Sequence, residues 1–131
     1  MPFSFRIDKV DFLVSATFEA SLGDEEACSF VTSLRAEPDL QPCMPVLIDA
    51  TGLTECTLTR TGIKSVVDIL QQTGNVHGEA RTAVVITRAG MALVADMLGL
   101  AIENRGLKYR VRTFLDVATA RVWLSETPVF S

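Results

Sequence analysis

Apolar and polar positions alternate at the start of the chain. Phe3, Phe5 and Ile7 interleave with Ser4, Arg6 and Asp8, the period of two of a half-buried strand. Asp8-Lys9 can turn, and Phe12, Val14 and Ala16 lead a second strand to about Phe18, so the pair reads as an antiparallel hairpin. Gly23-Asp24-Glu25-Glu26 then opens a helix. Asp24 stands at its predicted N-cap, and the acidic first turn suits the positive end of the helix dipole. Ala27, Phe30, Val31 and Leu34 recur at helical spacing as one apolar stripe. Pro38, Pro42 and Pro45 stop the helix and stiffen the loop after it.

Pro45 to Ala50 is a short, nearly continuous apolar run, the mark of a strand covered on both faces, and Thr51-Gly52 is expected to break it. Leu53 to Thr61 is rich in threonine and has no clear period. Ile63, Val66, Val67 and Leu70 repeat the helical stripe, with Lys64 and Asp68 as an i, i+4 pair and Gly74 as a fitting C-cap. Ala83 to Thr87 is a second buried strand, and a long helix follows from about Ala89 to Arg105, ending at Gly106. Tyr109, Val111 and Thr113 alternate with Arg110, Arg112 and Phe114 in a last strand of edge character, and Asp116 caps a final helix. The order is ββαβαβαβα. Strands alternating with helices require crossovers, hence an α/β fold: a mixed, mostly parallel sheet of about five strands with four helices and an antiparallel N-terminal hairpin.

The whole chain of 131 residues fits a single domain, 1–131. With 12 basic and 16 acidic side chains the net charge is -4, which does not suit a nucleic-acid partner. The longest apolar run is about five residues, against the roughly 20 of a membrane-spanning helix, and the start lacks the basic and apolar pattern of a signal peptide. The expectation is a soluble, cytoplasmic protein with no membrane span. Cys28, Cys43 and Cys56 form no paired spacing and make no zinc set with the single histidine, His77, so no metal or cofactor is expected. The three thiols are read as small apolar side chains in a reducing compartment.

Two stretches carry a likeness. Val46-Leu47-Ile48-Asp49-Ala50-Thr51-Gly52-Leu53-Thr54 resembles a central strand ending in an aspartate, a small residue and a glycine. Phe114-Leu115-Asp116-Val117-Ala118-Thr119-Ala120-Arg121-Val122-Trp123-Leu124 resembles a closing strand and helix with Phe, a capping Asp, an Ala and a Trp-Leu pair. Together with the element order they resemble the STAS domain (sulfate transporter and anti-sigma-factor antagonist), in its SpoIIAA-like branch, over residues 3 to 125. Read from the residues alone, Asp49 accepts N–H groups of the following turn, and Trp123 lies beside the apolar stripe of the last helix.

The resemblance implies a non-enzymatic protein-interaction or regulatory module, with a small apolar-ligand or lipid carrier of SEC14-like character as the alternative. It also directs attention to the head of the third-strand helix, where antagonist members carry Asp-Ser-Ser-Gly with a phosphorylated serine. Here the comparable place reads Thr57-Leu58-Thr59-Arg60-Thr61-Gly62; Thr61-Gly62 matches Ser-Gly only with a two-residue insertion, and Thr59 or Arg60 replaces the acidic residue. Bottom-up, Thr59 or Thr61 begins a helix whose first N–H groups are free, and Arg60 and Lys64 add charge of the same sign. Asp49, Thr59, Arg60, Thr61, Gly62 and Lys64 are therefore the candidate anion or regulatory loop, with threonine capping as the plainer reading.

On the long helix, Met91, Val94, Leu98, Ala101 and Ile102 form the stripe expected to face the sheet. Leu93, Met97 and Leu100 fall nearly opposite, and such a row predicts an interface, with a homodimer as the simplest partner and the carboxy-terminal helix or tail as the alternative cover. The mean hydropathy of +0.30, high for a small soluble domain, speaks for the small-ligand carrier alternative. No catalytic triad, phosphate loop or dinucleotide motif occurs, so no enzyme is expected.

Overall fold

A computed structural model describes residues 3–41, 43–72, 81–87, 89–107 and 110–126. Its elements are β1 (Phe3–Asp8), β2 (Leu13–Leu22), α1 (Asp24–Arg35), β3 (Val46–Cys56), α2 (Arg60–Gln72), β4 (Arg81–Val85), α3 (Ala89–Asn104), β5 (Arg110–Phe114) and α4 (Val117–Ser125). The strands lie in one sheet in the order β1-β2-β3-β4-β5; β1 and β2 are antiparallel, and every other neighbouring pair is parallel. This is the α/β architecture read from the pattern. Gly74 and His77, Tyr109, and the segments Thr127 to Ser131 and Arg88 lie outside the described residues.

The crossovers explain the layers. A parallel crossover is right-handed in nearly every case, and here each one steps to the adjacent strand in the same direction. So α1, α2 and α3 fall on one face of the sheet, and α4, which follows the last strand, covers the other. Alternation along β3 shows the two faces. Val46, Ile48 and Ala50 join Phe30 and Leu34 of α1, while Leu47 joins Ala83, Val85 and Ala120 beside Trp123 and Leu124 of α4.

The α1 side is anchored by aromatic rings. Phe30 meets Phe3, Phe5 and Phe18 edge-on, with centroids at 5.6, 5.9 and 4.9 Å. Edge-to-face geometry places ring hydrogens on the negative ring face, which adds to burial. On the α4 side, Asp116 caps the helix by accepting the Thr119 N–H at 2.7 Å. Trp123 packs on Phe114 at 5.6 Å, and the Arg81 guanidinium lies over its ring at 5.2 Å while donating to the Trp123 carbonyl. At the end of α3, Gly106 adopts φ +71 and donates to the Glu103 carbonyl, and Leu107 donates to that of Ile102. That is a Schellman closure, open to glycine because it has no Cβ to strain.

The structure departs from the sequence reading in two strands. β2 and β3 run on to Leu22 and Cys56, well past Phe18 and Gly52. Their pairing shifts between Thr17 and Glu19 and again between Ala20 and Ser21, so β3 carries extra residues against β2. Bulges accommodate Gly52 and the threonines without ending the strand, which is why a period count loses the signal there.

Phe30→Ala removes the shared partner of three rings. The expected loss is about 3–5 kcal/mol, read as a lower urea midpoint at unchanged slope.

Candidate functional site

The helical layer meets the sheet at its margins: α1 approaches β1, α3 approaches β5, and α2 is held chiefly by α1 and α3. Beneath α2 lies a cavity of about 190 Å³, partly open to solvent. Phe30 and Val31 of α1, Val66 of α2, Leu98 of α3, and Ile48 and Val84 of the sheet contribute to its walls. The wall is almost wholly apolar; Arg35, at the last turn of α1, is its one charged side chain among the described residues. Sheet positions beneath α2 carry small side chains at Ala50 and Thr82, which leaves the volume unfilled. Periodicity cannot reveal this site, because the volume is a sum of gaps between residues far apart in sequence.

The candidate loop sits at the head of α2. Thr59 is the cap: its carbonyl accepts the Ile63 N–H at 2.9 Å and its Oγ1 accepts the Gly62 N–H at 3.2 Å. Arg60, Thr61 and Gly62 form the first turn. The place an anion would take already holds the carboxylate of Asp24. Its Oδ1 accepts the Thr59 N–H at 2.7 Å, and its Oδ2 accepts the Thr59 hydroxyl at 2.6 Å. Asp24 is therefore not the N-cap of α1. Gly23 takes that position and donates its N–H to Glu26 Oε1 at 3.1 Å, leaving Asp24 to reach across to α2. A phosphate or sulfate entering at Thr59 would have to displace this carboxylate.

Gly62 is required by the same contact, since a Cβ there would collide with the Asp24 side chain. The two bonds from Thr59, hydroxyl first, hold the Asp24 carboxyl below the usual carboxylate range. A backbone N–H donated by Asp11 lowers Asp8, and one donated by Thr119 lowers Asp116.

The remaining sequence candidates are dispersed. Asp49 is half-buried on the α4 side of β3, where its Oδ1 accepts from the Thr51 N–H and hydroxyl at 3.0 and 2.6 Å. It pairs in register with Thr17 and Val85, and seven strand residues separate it from the end of β3, so it does not join the α2 loop. Arg60 and Lys64 line a groove between α2 and α3 with Met97 and Arg105. Asp68 does not serve Lys64 as the helical spacing suggests; it pairs with Arg105, just past the end of α3, at 2.7 Å.

Met97 is half-buried against the cluster of Ile63, Val67 and Ile102, because α2 lies beside α3 in the layer. Its cover is α2 rather than the carboxy-terminal helix. Leu100 is 57% exposed, and the Leu93 side chain lies outside the described residues. The cysteines are all free, and Cys43 is exposed rather than packed. Burial, helped by Asp24, pushes the Cys28 thiol up. Among the described residues no helix is long and apolar enough to cross a membrane, and no group of three or more His, Cys, Asp or Glu could hold a metal ion.

No family model and no curated protein matches the chain. Among solved structures, an uncharacterised protein of the DUF3478 family with a SpoIIAA-like fold, from Shewanella loihica PV-4, superposes with a TM-score of 0.54 at 17% identity. The match covers 93% of this chain and 91% of that one. The fold is thus SpoIIAA-like.

The Asp24 contact gives a double-mutant test. Gly62→Ala lowers stability in the parent and costs less in an Asp24→Gly background, where the Oδ1, Cγ and Cβ that the new methyl would meet are all gone. Urea midpoints of the four proteins check this. The depressed Asp24 carboxyl stabilises the fold above pH 3.8, its ordinary value, and that contribution is lost as pH falls through the lower folded value. Asp24→Ala should therefore flatten the acid limb of melting temperature against pH.

Proposed function

We propose that this domain is a non-enzymatic module that holds a small apolar ligand in the cavity beneath α2. The observation that supports the reading is the volume itself. Native cores pack to crystal density with few voids larger than water. An apolar cavity of about 150 Å³ is dry and takes up benzene, and the space here is about 190 Å³. Among the described residues its wall carries no carboxylate and no histidine, so it offers no acid–base pair to a bound molecule. Binding and release are the chemistry such a wall supports.

Amide chemical shifts on titration with benzene test the reading. Shifts confined to Ile48, Val66, Val84 and Leu98 are expected, and none at saturating benzene would remove it. Ala50→Leu should fill the space. It is expected to raise the melting temperature by about 2–6 °C, as other cavity-filling changes do, and to weaken benzene binding at least tenfold.

The protein-interaction reading has its own support in exposed apolar side chains: Leu115 at 77%, Val122 at 62% and Leu100 at 57%. A partner, a second copy included, would cover such positions. Light scattering separates the cases. A dimer that Leu100→Glu splits supports self-association through α3, and a monomeric parent at high micromolar concentration discards it.

A further inference from the structure

We propose that the groove between α2 and α3 is a second binding site, for a small molecule with a flat apolar body and an anionic head. The site is separate from the cavity, because no described residue lines both. The groove has a volume of about 310 Å³. Its floor is apolar: Ile63 and Val67 of α2 are buried, and Met97 and Ala101 of α3 are half-buried. Its α2 rim is cationic, formed by the exposed Arg60 and Lys64.

The rim selects the head. Arg60 and Lys64 stand four residues apart on α2, so they are neighbours on one helical face, where like charges are unfavourable. Helical spacing would give Lys64 a counter-charge in Asp68, but Arg105 takes that carboxylate at 2.7 Å. Among the described residues neither rim side chain has an ion pair or a hydrogen bond. A chain of net charge -4 thus keeps two adjacent cations unneutralised beside an apolar floor. An anion between them offsets their repulsion and is attracted to both. This placement needs neither the N–H nor the hydroxyl of Thr59, which Asp24 holds.

The floor selects the body. The Met97 thioether is flexible and polarisable, which suits it to an aromatic ring. The groove has roughly twice the volume of an apolar cavity that takes up benzene, which leaves room for about two fused rings. The discriminating experiment follows amide chemical shifts of the full chain on titration with 2-naphthoate, 2-naphthol and inorganic phosphate at neutral pH. Naphthoate is expected to shift Lys64, Met97 and Ala101, and to bind roughly tenfold more tightly than naphthol or phosphate at those positions. Arg60→Gln and Lys64→Gln should each weaken naphthoate about threefold, the range of one exposed ion pair, and together bring it to the naphthol level. Amide spectra that keep the parent's dispersion certify that these variants fold. Equal binding of naphthoate and naphthol in the groove overturns the proposal, as does a preference that survives the double substitution. Naphthoate shifts confined to Ile48, Val84 and Leu98 also overturn it, while supporting the cavity reading. Groove binding in a protein that fails to take up benzene leaves this proposal standing and removes the cavity reading alone.

Discussion

Three crossovers of one hand, each to the adjacent strand, force three helices side by side onto one face of the sheet. Width then becomes the governing constraint. Helices pack at about 10 Å, so the outer two axes stand about 20 Å apart. Strands lie about 4.8 Å apart, so β2 to β5 alone would span only about 14 Å. Adding β1 brings the sheet to about 19 Å, and the outer helices come down at its two margins, α1 by β1 and α3 by β5. The opening hairpin is thus the extra breadth that a three-helix layer needs. The middle helix is left hanging between its neighbours, and the space beneath it is the cavity.

That suspension gives the Asp24 carboxylate its importance. α2 is fixed by side contacts with α1 and α3, and Asp24 ties its first turn to the first turn of α1. At the far end of the same helix, Arg105, just past α3, reaches Asp68 and Gln71 of α2. The roof of the cavity is therefore tethered by polar bonds at its rim, while its underside faces no close-packed partner. The arrangement leaves volume without leaving a buried polar group unsatisfied among the described residues.

Local periodicity made much of this legible. The order of elements, the antiparallel hairpin, the Asp116 cap and the closure at Gly106 all depend on residues within a few positions of one another. What escaped was set by distant residues. Asp24 has the composition and place of an N-cap, and nothing nearby reveals that its better donors lie 35 residues away on Thr59. Met97 looked outward because a wheel assumes one buried stripe, whereas a helix at the margin of a layer has a sheet below and a neighbour beside it. The bulged half of β3 lost its period for the same reason that it kept its pairing: extra residues break alternation without breaking the ladder.

The hairpin carries one more consequence. Phe3, Phe5 and Ile7 stand opposite Phe18, Ala16 and Val14, and all six face α1. A slip of β1 by one residue would turn Phe3, Phe5 and Ile7 to the opposite face, where Ser4 and Arg6 now meet solvent, while β2 stays fixed by β3. The outermost strand of this sheet is thereby bound to a single alignment by its own phenylalanines, and a foreign strand offered to the outer edge of β2 would have to supply the same spacing of rings to take its place.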